Sequence, residues 1–68
     1  MKNSIRVERA IKDMTQQQLA EAIGVSRQTI NAIEASKYAP SAVLVLKMSS
    51  VFGKPVNEIF QLEESDWQ

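Results

Sequence analysis

Residues 15–34 read TQQQLAEAIGVSRQTINAIE, and this stretch decides the fold. Thr15 followed three residues later by Gln18 is the capping-box pattern that begins a helix, and Gly24 is a residue type that commonly ends one. Ser26 follows two residues after Gly24 and is a second helix N-cap. The stretch therefore predicts two helices joined by a very short turn, which is the layout of a helix-turn-helix.

The second helix of this unit, predicted over residues 27–35, has an apolar and a polar face. Ile30 and Ile33 are three residues apart and therefore share the inward side. The opposite face has no outward acidic residue, and its side chains suit base edges in the major groove. Gln and Asn can pair bidentately with adenine, Arg can pair with guanine, and Ala can contact a thymine methyl. The outward and flanking residues are Arg27, Gln28, Thr29, Asn31, Ala32 and Ala35.

The first helix of the unit opens with Gln16 and Gln17 behind its cap. The free backbone N–H groups at such a helix start bind a phosphate without needing a lysine. On its own, the second helix is more typical of an ordinary amphipathic helix with a solvated polar face. The short turn, the two caps and the missing acids together favour DNA recognition, with phosphate contacts fixing the register and base contacts carrying the sequence information.

Three further helices are predicted around this unit, which gives one compact, all-α, five-helix domain over residues 1–68. Each is bounded by a polar cap or by Gly and Pro. Their predicted positions are residues 4–12, the segment from the Ser41 cap to Phe52 before Gly53, and a short helix capped by Asn57 that contains Glu58, Ile59 and Phe60.

Two segments allow an alternative. The run Val43–Leu46 is β-branched enough for a strand, although the cap before it, the glycine after it and the length of the segment favour a helix. Residues 61–68 show no clear period and form either a disordered tail or an arm that pairs with a partner. Trp67 is accordingly either an exposed terminal side chain or an anchor in a dimer.

Composition excludes several classes of function. The 68 residues contain no Cys and no His, so the chain offers no Ser-His-Asp or Cys-His site and no zinc site of the ordinary type. We therefore expect no enzyme, no catalytic residue, no metal and no cofactor, and no small-molecule ligand is evident. No apolar run reaches the length of a signal peptide or a membrane span, which predicts a soluble cytoplasmic protein.

Charge is distributed unevenly, although the formal net charge is zero. All eight Lys and Arg lie in residues 1–54 with four acidic residues, which gives +4, and the remaining four acids follow in residues 55–68. A basic body with an acidic tail can present a positive face to phosphates. Ordinary solvated surface charge explains the same distribution, so the charge pattern alone does not decide between the two.

Residues 15–34 closely resemble the helix-turn-helix of the lambda-repressor-like, Xre/Cro-type DNA-binding family. The string Thr-Gln, Leu-Ala, Gly-Val-Ser, Ile and Glu carries the resemblance, and flanking residues extend it over about residues 5–62. The resemblance implies a five-helix bundle. It also implies a sequence-specific regulator of transcription that binds double-stranded DNA, most often as a repressor.

The resemblance further implies roles for individual residues. An ion pair between Arg9 and Glu34 would join the first and third helices, and breaking it would cost about 3–5 kcal/mol if it is buried. The implied base contacts come from Arg27, Gln28 and Asn31, with Thr29 and Ala32 adjoining. The implied phosphate contacts come from Gln16, the region around Ser26, Lys37 and Tyr38, and the helix start adds Gln17.

The first helix departs from the family pattern and leaves its register open. Glu8 occupies a position where the family usually has a large apolar residue. The family register turns Ile5 and Arg9 inward. Periodicity instead predicts an inward stripe made of Val7, Ala10, Ile11 and Met14.

Two later positions also depart from the pattern. Ser36 stands where Gly or Asn is common, and a positive φ there would strain it by about 1 kcal/mol. Val43 replaces a polar residue and could form an outward apolar patch with Leu44 and Val51. Such a patch indicates a protein interface, although scattered surface apolar residues are an equally good interpretation. A homodimer would use this patch, helix 5 or the C-terminal arm.

Two other functions remain compatible with the sequence. One is a protein-interaction module on the same fold, such as an antitoxin or a co-regulator, in which the apolar patches matter and the third helix is idle. The other is an engineered DNA-binding module derived from the family, which the departures from the pattern allow. Salt-dependent binding to DNA of mixed sequence separates the interaction module from a DNA-binding protein.

Overall fold

Five short helices surround one apolar core in the computed structural model, which describes all 68 residues. This arrangement confirms the predicted all-α, five-helix fold class. A small two-stranded sheet, which was not predicted, joins the two ends of the chain. In chain order the elements are β1 (Lys2–Asn3), α1 (Ile5–Ile11), α2 (Gln16–Ile23), α3 (Arg27–Glu34), α4 (Ala42–Phe52), α5 (Val56–Ile59), β2 (Phe60–Gln61) and a 3₁₀ helix (Glu64–Trp67).

The ends of α2, α3 and α4 are set by the predicted cap residues. The backbone N–H of Gln18 donates to Thr15 Oγ1 at 3.0 Å, and the backbone N–H of Thr15 donates to Gln18 Oε1 at 2.9 Å, which completes the capping box. Ser26 and Ser41 accept from the third residue of α3 and α4 in the same way. Gly24 ends α2 with a φ of 78°, a left-handed conformation that glycine adopts without steric cost. These local contacts produce the tight turn between α2 and α3.

A single cluster of ten buried apolar residues forms the core. Ile30 and Ile33 belong to it, as the periodicity of α3 predicts. Each such side chain contributes about 1.5–3 kcal/mol when it is fully removed from water. The complete cluster consists of Ile5, Leu19, Ala20, Ile23, Ile30, Ile33, Met48, Phe52, Ile59 and Phe60.

Helix α1 follows the family register, and the stripe predicted from periodicity is wrong. Ile5 is fully buried, whereas Val7 and Ile11 are 57% and 62% exposed. Glu8 turns inward and is only 5% exposed. Its carboxylate is paired with the ammonium of Lys54 at 3.3 Å, which reaches it from the segment after α4. A charged partner from elsewhere in the chain therefore allows a carboxylate to occupy a position that is normally apolar.

Helix α5 begins earlier than predicted. Pro55 is its N-cap residue, with a φ of −60°, and Asn57 lies inside the helix instead of capping it. A proline suits this position because it has no N–H that would need a partner before the helix, and its extended backbone, with a ψ of 149°, lies outside the helix. Phe60, predicted as the end of the helix, is extended and belongs to β2.

The two ends of the chain are held side by side. Strands β1 and β2 are antiparallel, and the Met1 ammonium lies 3.0 Å from the Glu63 carboxylate and 3.1 Å from that of Asp66. Hydrogen bonding to Glu63 and then to Asp66 raises the pKa of this ammonium. The backbone N–H of Glu63, followed by the ammonium, lowers the pKa of Asp66. The C-terminal segment thus contacts the N-terminal residue of its own chain.

The apolar patch predicted on α4 is not arranged as expected. Leu44 and Val51 are half-buried and pack against the core. Val43 is 61% exposed, and its exposed apolar neighbour is Leu46, at 62%. The longest helix, α4, has 11 residues, whereas a membrane span needs roughly 20. None of the helices is therefore able to cross a membrane.

Candidate nucleic-acid interface

Helix α3 turns its polar face to solvent. Its apolar face is closed against the core, and Arg27, Gln28 and Asn31 are all exposed. Thr29 and Ala32 are half-buried at the edges of the exposed face. No other part of the protein covers this face, so it is free to approach another surface.

At the start of α3 the hydroxyl groups of Ser26 and Thr29 are hydrogen-bonded, whereas the first two backbone N–H groups of the helix have no partner. Ser26 Oγ accepts from the backbone N–H of Thr29 at 3.2 Å and lies 3.0 Å from Thr29 Oγ1. The first backbone N–H groups with a partner are those of Thr29 and Ile30, which both donate to the Ser26 carbonyl. The preceding N–H groups, on Arg27 and Gln28, are therefore available to an anion at the helix start.

The start of α2 offers the same kind of donors. Gln18 N–H is bonded to the cap and Leu19 N–H to the Thr15 carbonyl, which leaves the N–H groups of Gln16 and Gln17 free. The side chain of Gln17 donates to Glu21 at 3.3 Å on the exposed surface of the same helix. Both helix starts can therefore bind phosphate oxygens through the backbone.

Arg9 and Glu34 form a bidentate ion pair between α1 and α3. Arg9 Nε donates to Glu34 Oε2 at 2.6 Å, and Arg9 Nη2 donates to Glu34 Oε1 at 3.1 Å. The third donor of the guanidinium, Nη1, binds the Met14 carbonyl at 3.0 Å. The side chains are only 14% and 4% exposed. Parallel charge-assisted bonds of this kind fix the relative position of the two helices.

The amide of Gln16 extends this pair to the exposed face of α3. Gln16 Nε2 lies 3.3 Å from Glu34 Oε1 and 3.3 Å from Asn31 Oδ1. The side-chain nitrogen expected to contact a phosphate is thus bound within the protein. The backbone N–H of Gln16 remains free for that contact.

Arg6 is a basic residue at this site that the sequence reasoning missed. Its side chain is 83% exposed, and its Nε lies 4.0 Å from Glu34 Oε1. The signal was present in the sequence, because Arg6 precedes Arg9 by three residues and residues at this spacing share a helix face. Arg6 therefore adds a positive charge beside the end of α3.

The segment after α3 presents Lys37 and Tyr38 to solvent. Ser36 has a φ of 59°, which confirms the strained conformation anticipated for it. Its hydroxyl donates to the Met1 carbonyl at 3.1 Å, and the backbone N–H of Lys37 donates to the Ala32 carbonyl at 2.9 Å. These two hydrogen bonds fix the turn after α3, while the side chains of Lys37 and Tyr38 remain exposed.

Comparison with known proteins identifies the family. The helix-turn-helix family model matches residues 5–59. The chain is 46% identical over 66 residues to a helix-turn-helix-type transcriptional regulator of Methanocaldococcus jannaschii, covering 97% of this chain and 100% of the relative. It is 41% identical over 66 residues to the regulator YgzD of Bacillus subtilis, with the same coverage of 97% and 100%.

A solved structure shares the fold. The restriction-modification controller protein C.AhdI from Aeromonas hydrophila matches with a TM-score of 0.74 at 27% identity, over 82% of this chain and 85% of that one. The family match, the full-length relatives and this structural likeness agree with the geometry of α2 and α3. The chain therefore belongs to the lambda-repressor-like, Xre/Cro-type family of helix-turn-helix DNA-binding proteins.

Proposed function

We propose that this protein regulates transcription by sequence-specific binding to double-stranded DNA, with α3 in the major groove, and that its effect is repression. The observation that carries the proposal is the exposed polar face of α3, on which Gln28 and Asn31 project away from the core. The names of the two full-length relatives support regulation of transcription. A protein bound over a promoter represses by exclusion and needs no additional surface. A cytoplasmic location follows from the proposal, and no catalysis is part of it.

Base contacts come from the exposed residues near the start of α3. Arg27 and Gln28 have long side chains in its first turn, and Asn31 lies one turn further along the same face. Thr29 and Ala32, half-buried at the edges, supply apolar contact, since their methyl groups can touch a thymine methyl. These five residues of α3 would therefore distinguish one DNA sequence from another.

Phosphate contacts come from the helix starts and from exposed basic residues. The backbone N–H groups of Gln16, Gln17 and the residues after Ser26 supply uncharged donors. Lys37 and Tyr38 lie on the exposed segment that follows α3. Arg6 adds a second cation beside the same helix. These contacts fix the orientation of α3 without reading sequence.

Alanine substitutions at two positions test this assignment. Gln28→Ala is expected to cost about 1–3 kcal/mol of binding free energy and to relax discrimination at one base pair. Lys37→Ala is expected to weaken binding to all sequences alike and to reduce the slope of log K against log salt by about 0.9. Gln61→Ala is the matched control for Gln28→Ala, because it removes an exposed glutamine side chain that lies on β2, outside α2 and α3.

The measurement is selection from a randomised DNA library, combined with salt titrations of the selected site. An unchanged binding motif for Gln28→Ala would show that this residue does not read a base. Absence of any salt-dependent DNA binding at micromolar protein would overturn the proposed function and favour a protein-interaction module.

We also propose that the protein binds as a symmetric homodimer, covering two half-sites about 34–36 Å apart. The exposed apolar pair Val43 and Leu46 on α4 supports an interface there, and α5 and the C-terminal arm are the alternative interfaces. Leu46→Glu is expected to shift sedimentation equilibrium toward the monomer. Ile11→Glu is the matched control, because Ile11 is equally exposed, at 62%, but lies on α1. Dissociation by Ile11→Glu alone would place the interface elsewhere.

A further inference from the structure

The turn after α3 closes the helix with two backbone hydrogen bonds. The N–H of Lys37 donates to the Ala32 carbonyl at 2.9 Å, and the N–H of Ser36 donates to the Ile33 carbonyl at 3.0 Å. This pair of bonds is the Schellman motif, in which the position of Ser36 is usually occupied by glycine because its φ is positive. Ser36 carries a side chain at a φ of 59°, so the turn is strained. Contacts from outside the turn therefore matter for holding it in this conformation.

Asn3, on β1, supplies contacts of this kind. Its Nδ2 lies 3.0 Å from the Ile33 carbonyl oxygen and 3.4 Å from that of Glu34, to which no backbone N–H donates. Carbonyl oxygens only accept, so the atom that faces both must be the amide nitrogen, whose two hydrogens can serve both. The other amide atom, Oδ1, accepts from the backbone N–H of Ile5 at 3.2 Å. Asn3 therefore bonds the last two carbonyls of α3 and the first residue of α1 at once.

The N-terminal segment also contacts the turn itself. Ser36 Oγ donates to the Met1 carbonyl at 3.1 Å. Met1 and Asn3 line one cavity together with Ser36, Lys37 and Tyr38. Strand β1 is in turn anchored by its antiparallel pairing with β2. The two residues after α3 that are proposed to contact phosphate thus follow a turn that is held from the N-terminal end of the chain.

We propose that Asn3 is a positioning residue for DNA binding, because its bonds to the end of α3 hold the turn that places Lys37 at the phosphate backbone. The inference rests on the proposed function, which assigns Lys37 to a phosphate. Asn3 is half-buried and both of its amide atoms are bonded within the protein, so it acts on DNA only through the turn. Without this amide the Glu34 carbonyl has no donor, and the Ser36 hydroxyl alone ties the strained turn to the N-terminal segment. The turn can then leave the conformation that presents Lys37.

The slope of log K against log salt, measured on the selected DNA site, tests the proposal. Asn3→Leu keeps nearly the same shape but has no donor and no acceptor, and it is expected to reduce the slope by up to about 0.9, the change expected for Lys37→Ala. In a Lys37→Ala background, Asn3→Leu is expected to leave slope and affinity unchanged, whereas independent effects would multiply. Ser49→Ala is the matched control, because it removes a side-chain bond to the carbonyl of a residue after a different helix, α4, and it is expected to leave the slope unchanged.

Circular dichroism identifies the conditions under which each variant is folded, and binding is measured only there. A folded Asn3→Leu variant with the wild-type slope overturns the proposal, and so does an equal reduction in Ser49→Ala or an effect that multiplies with that of Lys37→Ala. If Lys37→Ala itself leaves the slope unchanged while the wild-type protein binds DNA, the proposed function stands and the positioning role is refuted. If the wild-type protein shows no salt-dependent binding to DNA, both fail together.

A measurement on the wild-type protein covers the case in which Asn3→Leu does not fold. Exchange of side-chain NH₂ hydrogens with water, followed by NMR, is expected to be slower for Asn3 than for Asn57, which is exposed on α5. Coupling between two sites is reciprocal, so binding of the selected DNA should slow the exchange at Asn3 further and leave Asn57 unchanged. Equal rates at the two residues, or a rate at Asn3 that DNA does not alter, would overturn the proposal.

Discussion

Replacement of Arg9 by methionine is expected to lower the free energy of unfolding by about 3–5 kcal/mol. The guanidinium is 14% exposed and donates twice to Glu34, whose side chain is 4% exposed. After the substitution Glu34 keeps only Gln16 and the more distant Arg6, at 4.0 Å, so a buried carboxylate remains almost uncompensated. A domain of 68 residues has a total stability of roughly 3–10 kcal/mol. Urea denaturation followed by far-UV circular dichroism should therefore show that Arg9→Met loses a large part of the free energy of unfolding of the wild-type protein.

Two companion variants decide whether the buried charge is the cause. Arg6→Met removes an arginine that is 83% exposed and is expected to cost less than about 0.5 kcal/mol. The double variant Arg9→Met with Glu34→Leu replaces the pair by apolar side chains and should recover most of the loss. A deficit of about 1 kcal/mol should remain, because the Met14 carbonyl loses its 3.0 Å bond from Arg9. If the double variant is as unstable as Arg9→Met, the reasoning is refuted.

Three further changes test other parts of the structure. Ser36→Gly should be about 1 kcal/mol more stable than Ser36→Ala and melt at a higher temperature, because both variants lose the hydroxyl bond to the Met1 carbonyl but only alanine keeps a side chain at a φ of 59°; equal melting temperatures would count against strain there. Glu8→Leu should be neutral or stabilising by about 1 kcal/mol in urea denaturation, whereas Lys54→Met should destabilise by leaving Glu8 buried and unpaired; the opposite order would contradict the ion-pair argument. The contact between Met1 and Asp66 should be present between pH 3.8 and 8.0, the ordinary pKa values of the two groups. It should weaken as pH rises through the raised pKa of the ammonium or falls through the lowered pKa of the carboxyl, and NMR shifts of the 3₁₀ helix that stay constant across both limits would exclude it.

The helix-turn-helix was predictable because its signals are local. Thr15, Ser26 and Gly24 lie within a few residues of the backbone groups that they satisfy, so their effect can be read from sequence alone. The inward positions of Ile30 and Ile33 follow from a spacing of three residues on one helix. Each of these features depends on chain geometry and not on the rest of the fold.

The features that escaped prediction depend on residues far apart in the chain. Periodicity placed α1 in the wrong register because it treats Glu8 as solvent-facing, and only Lys54, which is 46 residues away, makes the buried position tolerable. The pairing of β1 with β2 joins residues at opposite ends of the chain, and each strand is only two residues long. A two-residue strand carries no readable alternation. The position of Gln16 between α3 and the ion pair is invisible in sequence for the same reason.

Arg9 and Gln16 contribute unequally to the polar cluster around Glu34. Arg9 supplies two of its bonds and most of the compensating charge, so its loss falls on folding. Gln16 supplies one neutral donor at 3.3 Å to an oxygen that Arg9 also contacts at 3.1 Å. Removing the Gln16 amide therefore leaves the carboxylate paired with Arg9, while Asn31 Oδ1 loses its 3.3 Å hydrogen bond. A Gln16→Ala variant is therefore expected to remain folded, so that any change in its DNA binding would report on the exposed surface of α3 and not on a loosened fold.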